Sequence, residues 1–292
     1  MTQSKNLTTK EVARLCRVSD ATVKRWEDAG LLKSERTSGG HRRFRADEIA
    51  HFQREQGLGL KTSYGDESTV SPTIRRRTNK NHSDCVLFQS LLAGCEEESA
   101  NILIGAYLNG KPLTEIFDDL LCSAMCRVGE LWFDGKISIT QEHIATRAAS
   151  SSIYKLRNLL PVSKMTGELA MCCAIECDFH ELPAHLAQII IESEGWEVLN
   201  FGANTPLFCL AEEVLQHSPD MICISATVMS DVERLARDYK SFTEQIGKLK
   251  IPIVVGGRAF NDERVRRRFP ADYYARNFSE VAKLTKRLSK NT

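Results

Sequence analysis

The sequence predicts a multidomain protein of the α + α/β class, with a small helical unit, a helical bundle and a five-stranded parallel sheet. Residues 167–290 alternate short apolar runs with helix-like segments, which is the signature of a doubly wound parallel sheet. Residues 83–165 place apolar positions at helical spacing and have few strand signals, which indicates a bundle. The predicted boundaries, in chain order, are 1–60 for the small unit, 61–82 for a linker, 83–165 for the bundle and 166–292 for the sheet domain.

The composition limits the function before any motif is considered. The chain has 292 residues, 42% of them hydrophobic, so a sizeable core can form, which argues against global disorder. Residues 1–60 carry 12 Lys and Arg against 8 Asp and Glu, on a chain whose net charge is only +1. This local excess favours a polyanion partner for the amino-terminal part. The alternative is a solvated basic surface.

Cysteine use and hydropathy indicate where the protein works. Most of the ten cysteines lie inside apolar runs and no Cys-x-x-Cys pair occurs, which fits a reduced cytoplasm and gives a structural zinc site little support. No apolar run approaches the length of a membrane span, and the amino terminus has no signal-peptide pattern. We therefore expect a cytoplasmic protein without a membrane partner.

The amino-terminal unit is predicted to be mainly helical. Thr8-Thr9 and Ser19-Asp20 each offer a capping residue for a helix. Residues 37–40, Thr-Ser-Gly-Gly, signal a tight turn. The segments expected to be helical are 11–17, 21–29 and 46–56.

The remaining elements follow from the same periodicities. In the bundle, helical segments are expected at 85–109, 112–130 and 140–160, with a loop at 132–136. In the sheet domain, strands are expected at 168–175, 196–201, 220–225, 251–255 and 271–274. Helices are expected between these strands, including 184–194, and a last helix near 278–289.

The amino-terminal motifs resemble a known family. Residues 8–13 (TTKEVA) and 18–27 (VSDATVKRWE) resemble the helix-turn-helix of mercury-resistance-regulator (MerR) type transcription factors. Residues 30–32 (GLL) and 39–44 (GGHRRF) resemble the wing of that family. The match spans about fifty residues in order. It implies a winged helix-turn-helix domain that binds double-stranded DNA as a dimer.

The chemistry of the individual side chains agrees with this reading. The second helix would enter a major groove and present its polar side chains to phosphates and base edges. The basic wing would lie beside the phosphate backbone, although a solvated hairpin tip is the alternative. Trp26 and Phe44 are expected to pack in the small core. The expected DNA contacts are Ser19, Thr22, Lys24, Arg25, His41, Arg42 and Arg43.

An Asp-x-His pair marks the end of the first predicted strand of the sheet. Asp178 and His180 follow the apolar run at residues 169–175 and precede a helix-like segment. Open α/β sheets bind ligands at this edge. An imidazole can coordinate a metal through one nitrogen while a carboxylate holds the other. A solvated loop histidine is the alternative for the pair taken alone.

Several further motifs make the carboxy-terminal part similar to the cobalamin-binding module of light-dependent, B12-binding repressors, and to the related module of methionine synthases. Asp178-x-His180 matches the start of an Asp-x-His-x-x-Gly motif, and residues 201–206 (FGANTP) match the loop after the second strand. Ser225-Ala226-Thr227 occupies the position where the family has Ser-x-Leu, and Val255-Gly256-Gly257 matches the Gly-Gly that follows the fourth strand. Trp132 followed by Glu142-His143 matches the Trp…Glu-His pattern of the bundle.

This resemblance implies a Rossmann-like sheet domain and a role for each residue. His180 would be the lower cobalt ligand, oriented by Asp178. Ser225 would hydrogen-bond the tail of a threaded cobalamin, which the two glycines let approach. Trp132 would cover the upper axial group, and Glu142 and His143 would bond the ribose of adenosylcobalamin. The implied cofactor residues are Trp132, Glu142, His143, Asp178, His180, Asn204, Thr205, Ser225, Thr227, Gly256 and Gly257.

The chain departs from that pattern at three positions. Pro183 stands where the motif has Gly, which removes an amide donor but suits the first turn of a helix. Thr227 replaces Leu. Phe133 stands where the photoreceptors have a second His that captures cobalt after light breaks the cobalt–carbon bond, so the resemblance supports cobalamin binding more strongly than that photoproduct. His185 is a rival ligand should Pro183 displace the loop.

The motifs leave three functions for the protein. The first is a transcriptional regulator, repressor or activator, controlled by cobalamin and by light through its oligomeric state as a dimer or tetramer. The second keeps the DNA-binding domain but uses a degenerate pocket for another ligand or a protein antirepressor. The third, a corrinoid methyltransferase subunit or a mutase, is disfavoured because a substrate barrel alone needs about 250 residues. We therefore expect no enzyme, and a cytoplasmic, nucleoid-associated location.

Overall fold

The computed structural model describes residues 6–16, 18–45, 48–49, 52, 85–161 and 163–289. They form two compact units, Met1–Pro161 and Val162–Thr292. Most of the predicted helix at 46–56 and the predicted linker at 61–82 lie outside the described residues. Within the described part of the chain, no helix has the length and apolarity that crossing a membrane requires.

The amino-terminal domain contains two short helices and a three-stranded sheet. Helix α1 is Thr9–Cys16 and helix α2 is Asp20–Asp28. Strands β1 (Asn6–Thr8), β2 (Glu35–Arg36) and β3 (Arg42–Arg45) pair antiparallel in the order β1-β3-β2. The predicted turn at 37–40 joins β2 to β3. Strand β1 is too short for its own sequence to signal, and it forms because β3 offers it a partner.

Two side chains start the helices as the sequence predicts. The Thr8 hydroxyl accepts from the Glu11 backbone N–H at 3.2 Å, and the Glu11 Oε2 accepts from the Thr8 backbone N–H at 2.7 Å. The Ser19 hydroxyl accepts from the Thr22 N–H at 3.1 Å. These three bonds satisfy amides that a helix start leaves without partners.

The core of this domain is small and apolar. Phe44 is fully buried, as expected, and Trp26 packs at the edge of the core with its ring 5.0 Å from that of Phe52. Leu159, from the far end of the bundle, also packs against this core. The other buried members of the core are Leu7, Val12, Ala13, Cys16, Val23, Leu32 and Ile49.

The bundle is helical throughout its described length, with two corrections to the predicted elements. Residues 85–92 are helical, and helix α3 is Glu96–Leu108. The predicted helical segment at 85–109 is therefore interrupted at residues 93–95. Gly94 adopts a positive φ of 68° between the two helices, and this left-handed turn ends the first of them.

The second half of the bundle is one long helical passage followed by a final helix. Helix α4 (Leu113–Glu115) continues through a π-helical stretch, Ile116–Leu121, into helix α5 (Cys122–Phe133). Helix α6 is Ile139–Arg157 and begins with a capping box between Ser138 and Gln141. Trp132 and Phe133 thus lie in the last turn of α5, so the predicted loop at 132–136 begins too early.

Gly135 explains where α5 ends. Its φ is 68°, and the Lys136 N–H donates to the Leu131 carbonyl at 2.8 Å while the Gly135 N–H donates to the Trp132 carbonyl at 2.9 Å. This is the Schellman pattern of a glycine-terminated helix. Trp132 therefore sits on a regular helix rather than on a loop.

The carboxy-terminal unit is a five-stranded parallel sheet, as predicted, in the order β5-β4-β6-β7-β8. Its strands are β4 (Leu169–Ala174), β5 (Glu197–Asn200), β6 (Met221–Ser225), β7 (Ile253–Gly256) and β8 (Tyr273–Ala275). Its α-helices are α7 (Leu182–Ser193), α8 (Leu207–His217), α9 (Val232–Ile246), α10 (Glu263–Arg268) and α11 (Phe278–Leu288). Short 3-10 helices lie at Gly247–Leu249 and Arg258–Asn261.

Helices cover both faces of this sheet. Helices α7 and α11 pack against each other, and helices α8 and α9 pack against each other. Strand β4 is buried on both sides, since Met171 and Cys173 join the core that contains α8 and α9 while Ala170 and Cys172 are buried as well. Burial on both faces is why the strand reads as a continuous apolar run.

Candidate ligand and DNA-binding sites

The order of the strands brings the Asp-x-His pair to a particular place in the sheet. Strands β4 and β6 are neighbours, although they are the first and third strands of this sheet along the chain. The strand order reverses between them, and open α/β sheets bind ligands at the carboxyl ends of strands at such a switch point. Asp178 and His180 leave β4 there, and Ala226 and Thr227 leave β6.

Asp178 clamps His180 in this position. The Asp178 Oδ1 lies 2.6 Å from the His180 Nδ1, and its Oδ2 accepts from the Thr227 backbone N–H at 2.5 Å. The Asp178 side chain is fully buried, whereas that of His180 is 51% exposed. A buried carboxylate that holds one ring nitrogen of an exposed imidazole is the arrangement that orients a metal-binding histidine.

The electrostatics keep Asp178 charged. Burial raises the pKa of the Asp178 carboxyl, but hydrogen bonds from the His180 ring and from the Thr227 and His180 backbone amides outweigh it, so the net pKa lies below its usual value. An ionised carboxylate accepts from Nδ1–H and leaves Nε2 as the nitrogen with a lone pair for a metal.

His185 does not share this geometry. It lies on the first turn of α7, its Nε2 is 3.2 Å from the Glu181 Oε1, and its side chain is only 14% exposed. Pro183 occupies the first turn of the same helix, where its missing amide costs no helical hydrogen bond. His180 is therefore the better-placed ligand of the two, because it is exposed and held by a buried carboxylate.

Asn204 and Thr205 hold the loop that carries the clamp. The Asn204 Oδ1 accepts from the Cys177 N–H at 2.8 Å, and the Asn204 N–H donates to the Asp178 carbonyl at 2.9 Å. The Thr205 N–H donates to the Ala174 carbonyl at 3.0 Å. Cys177 has a positive φ of 66°, a conformation that these bonds help to hold. Direct contact of Asn204 or Thr205 with a cofactor stays a prediction.

Arg234 is a residue of this site that the sequence did not reveal. Its guanidinium on α9 donates to the Glu176 Oε1 at 3.0 Å and to the Cys177 sulfur at 3.4 Å. It therefore ties α9 to the loop before Asp178. No local motif surrounds it, and only the packing of α9 beside β4 brings these residues together.

Ser225 carries a buried hydroxyl that has no hydrogen-bond partner among the described residues. It ends β6, with Ala174 and Gly256 as its neighbours on the adjacent strands. A buried polar atom without a partner costs free energy, and native proteins pair most such atoms. The hydroxyl is thus suited to a group that a ligand brings, which is the role the resemblance implies for Ser225.

Gly256 and Gly257 are needed by the protein's own backbone. A Cβ on Gly257 would lie 2.4 Å from the Ala226 carbonyl oxygen, and the φ of Gly257 is 102°. A Cβ on Gly256 would lie 3.1 Å from the Ala275 carbonyl oxygen. The glycines therefore let the loop after β7 pass close to β6 and β8, which is a reason for them beyond any approach to a ligand.

Trp132 lies in the last turn of α5, and Glu142 and His143 lie near the start of α6, the next helix along the chain. The Trp132 side chain is 46% exposed, and Phe133 is 86% exposed. The Glu142 Oε1 accepts from the Thr146 hydroxyl at 2.7 Å, and its Oε2 lies 3.7 Å from the His143 Nε2. Two exposed aromatic rings thus lie in the last turn of α5, and a Glu-His pair follows near the start of α6.

The predicted DNA contacts lie on two elements of the amino-terminal domain. On α2, Lys24 and Arg25 are exposed, and the Arg25 guanidinium donates to the Thr22 hydroxyl at 3.4 Å. The Ser19 hydroxyl caps α2 by accepting from the Thr22 backbone N–H. On the β2–β3 hairpin, His41 is exposed. The contacts themselves stay predictions.

Arg42 has a structural partner. It forms ion pairs with Glu27 and Asp28, and Glu27 also accepts from the Ser34 hydroxyl at 2.5 Å. The hydrogen bond from Ser34 lowers the pKa of Glu27 and outweighs the opposing effect of burial, with further lowering by Arg42 and Arg36. Glu27 thus ties α2 to the hairpin, and Arg42 joins the wing to the recognition helix.

The described residues contain no cluster of three or more His, Cys, Asp or Glu side chains that could hold a metal ion.

Three segments of the chain match models of known families. Residues 8–44 match the MerR family regulatory protein. Residues 87–157 and residues 170–283 each match a B12 binding domain. The chain is thus a B12-linked transcription regulator: a MerR-type DNA-binding domain is joined to a carboxy-terminal B12-binding module.

Individual relatives are similar to most or to part of this chain. The HTH-type transcriptional repressor CarH of Myxococcus xanthus is 23% identical over 267 residues, which cover 85% of this chain and 87% of that protein. Dimethylamine corrinoid protein 1 of Methanosarcina mazei is 26% identical over 180 residues, which cover 60% of this chain and 81% of that protein. The solved structure of the Methanosarcina barkeri monomethylamine corrinoid protein shares the fold, with a TM-score of 0.56 at 20% identity over 69% of this chain and 96% of that one.

Proposed function

We propose that this protein is a DNA-binding transcription regulator controlled by a cobalamin, with His180 as the lower cobalt ligand. The observation that carries the proposal is the clamp at the switch point: fully buried Asp178, held by the Thr227 amide, lies 2.6 Å from the His180 Nδ1. The buried Ser225 hydroxyl, which no described residue satisfies, fits the tail of the same ligand.

The bundle supplies the remaining groups of the proposal. Trp132 would cover the upper axial group, and Glu142 with His143 would bond a ribose hydroxyl of adenosylcobalamin. A bound alkylcobalamin supplies a cobalt–carbon bond that light can break. The protein's own contribution is to orient the imidazole, to satisfy the tail and to exclude water from the upper face.

Visible absorption tests the proposal. Protein is mixed with adenosylcobalamin in the dark, washed free of excess and scanned, with His180→Ala and His217→Ala beside it; His217 is a more distant histidine on α8, paired with Glu213. We expect wild type and His217→Ala to retain a corrin spectrum, and His180→Ala to lose the lower-ligand signature. Loss of an outer partner such as Asp178 typically weakens metal binding by about 10–100-fold.

The outcomes separate the alternatives. Illumination that changes the retained spectrum would support a light-responsive regulator. A retained but unchanged spectrum would leave a chemical cobalamin sensor and implicate Phe133, which offers no imidazole to the cobalt. A wild-type protein that retains no corrin in excess cobalamin would refute the proposal.

A second candidate function keeps the DNA-binding domain and gives the pocket another ligand or a protein antirepressor. The observation that favours it is Pro183, which stands where the resemblance expects glycine and removes a backbone donor from the first turn of α7. In that case His180→Ala would leave regulation of the operator unchanged.

We further propose that the protein acts as a regulator rather than an enzyme, at the nucleoid in the cytoplasm. The MerR-type domain supports this, because its partner is double-stranded DNA. The alternative role of a methyl-group carrier, which the similarity to corrinoid proteins raises, would instead give transfer of a methyl group from an added methylated donor to a thiol acceptor in the presence of partner methyltransferases.

A further inference from the structure

Two arginines leave the sheet side by side at its carboxyl edge. Strands β7 and β8 are neighbours, with Gly256 opposite Ala275. Arg258 follows Gly256 by two residues, and Arg276 follows Ala275 directly. Both residues are exposed, and neither guanidinium has a hydrogen-bond or ion-pair partner among the described residues. Two exposed arginines therefore follow neighbouring strand ends at the edge where the sheet is expected to bind its ligand.

The neighbouring arginines of the same region are all engaged. Arg264 pairs with Asp262 at 2.7 Å, Arg267 pairs with Glu263 at 3.7 Å, and Arg268 pairs with Glu233. Arg266 donates to the Phe260 carbonyl and lies over the Tyr274 ring. Among the described residues, each arginine of α10 thus has a partner within the protein, whereas the two arginine side chains at the strand ends have none.

The position of the pair relative to Ser225 is specified by the register. Ser225 ends β6 opposite Gly256, and Gly256 lies opposite Ala275. The ends of these three strands therefore lie side by side, with Arg258 two residues beyond Gly256 and Arg276 one residue beyond Ala275. Two strand spacings are about 10 Å, which an arginine side chain and a nucleotide together can span.

We propose that Arg258 and Arg276 bind the phosphodiester of the nucleotide tail of a corrinoid, one or two strands away from the base that Ser225 contacts. This proposal rests on the proposed cobalamin function and deepens it. A guanidinium presents N–H groups in a planar fork that matches two phosphate oxygens, and such charge-assisted bonds are stronger than neutral ones. The pair would select complete corrinoids over those that lack the nucleotide.

The test compares three ligands that share one ring and one cobalt. Cobalamin has the phosphate and the base, cobinamide phosphate has the phosphate alone, and cobinamide has neither. Binding of each is titrated by absorption against wild type, Arg258→Gln, Arg276→Gln and the double variant. Arg264→Gln is the matched control, because it removes an exposed arginine that already has a partner.

We expect each single variant to bind cobalamin and cobinamide phosphate about tenfold more weakly, as the loss of one charge-assisted bond predicts, and to bind cobinamide as wild type does. Arg258→Lys should recover part of the loss. Added salt should narrow the difference between variant and wild type.

Unchanged cobalamin affinity in the double variant would overturn the phosphate site and leave the cobalamin function intact. Equal losses for all three ligands would also overturn it, because the arginines would then support the fold rather than the phosphate. A wild-type protein that binds none of the three ligands would overturn the cobalamin function itself, and this inference with it.

Discussion

A single buried carboxylate sets the chemistry of the switch point. Asp178 satisfies the Thr227 amide from β6 and the imidazole of His180 at once, so one residue joins two loops and orients a side chain that could bind a metal. The sequence predicted the pair of residues. It could not predict the Thr227 amide, because that contact spans 49 residues of chain.

Ser225 gives a prediction at the scale of one atom. We expect Ser225→Ala to leave the free energy of unfolding unchanged or to raise it by up to about 1 kcal/mol, since it removes a buried hydroxyl that no described residue satisfies. The same variant should bind cobalamin about tenfold more weakly and cobinamide normally. Thermal unfolding and absorption titration measure the two effects.

The control is a buried hydroxyl that does have a partner. Thr285 is fully buried, and its Oγ1 donates to the Val281 carbonyl at 2.9 Å. Thr285→Val should therefore destabilise the same unit by about 1 kcal/mol. A destabilisation by Ser225→Ala as large as that by Thr285→Val would show that the Ser225 hydroxyl has a partner in the protein.

Elements begin and end where short-range signals are strong. Ser19, Ser138 and Thr8 start their helices as their chemistry dictates. The sequence predicts a loop at 132–136, yet the helix runs on through Phe133 until Gly135 turns left-handed. A glycine ends a helix one or two residues after the last helical position, so the glycine itself marked the correct end.

The ion pairs of Glu27 predict how the DNA-binding domain responds to pH. Because the folded pKa of Glu27 lies below its ordinary value, its stabilisation is complete above about pH 4.3 and is lost as pH falls through the lower folded value. Glu27→Gln should destabilise α2 at pH 7 by about 1–2 kcal/mol and have less effect in acid. Amide hydrogen exchange of α2 measures both.

An exposed glutamate of the same domain is the control for that measurement. Glu35 lies on β2 and is exposed. Glu35→Gln should leave the exchange of α2 close to wild type at both pH values, within about 0.5 kcal/mol. A Glu27→Gln effect that grows toward low pH would contradict the assignment, since the sign follows from the lowered pKa.

At the scale of the whole molecule, the proposed ligand should control how copies of the chain assemble. One short DNA-binding domain buries too little surface for useful specificity, so dimeric or higher binding is expected. Exposed apolar residues of the bundle, including Phe133 and Ile139, are available for such contacts. We expect adenosylcobalamin in the dark to change the assembly state.

Light scattering on a sizing column measures the assembly state. The mass should move between 32.8 kDa for one chain and two or four times that value when adenosylcobalamin is added. The His180→Ala protein should not respond, and His217→Ala should respond as wild type does. One mass under all conditions would contradict control through assembly while leaving ligand binding intact.

The sequence by itself determined the domain order, the five parallel strands and the family motifs, because helix caps, apolar periodicity and glycines act over a few residues. Tertiary structure decided what those residues touch. The reversal of strand order between β4 and β6 brings Asp178 to Thr227, and the packing of α9 brings Arg234 to Glu176. The register of β6 leaves the Ser225 hydroxyl without a partner in the part of the chain that the structure describes. Each of these depends on chain segments far apart in sequence, and their approach is set by burial of the whole sheet rather than by any local pattern.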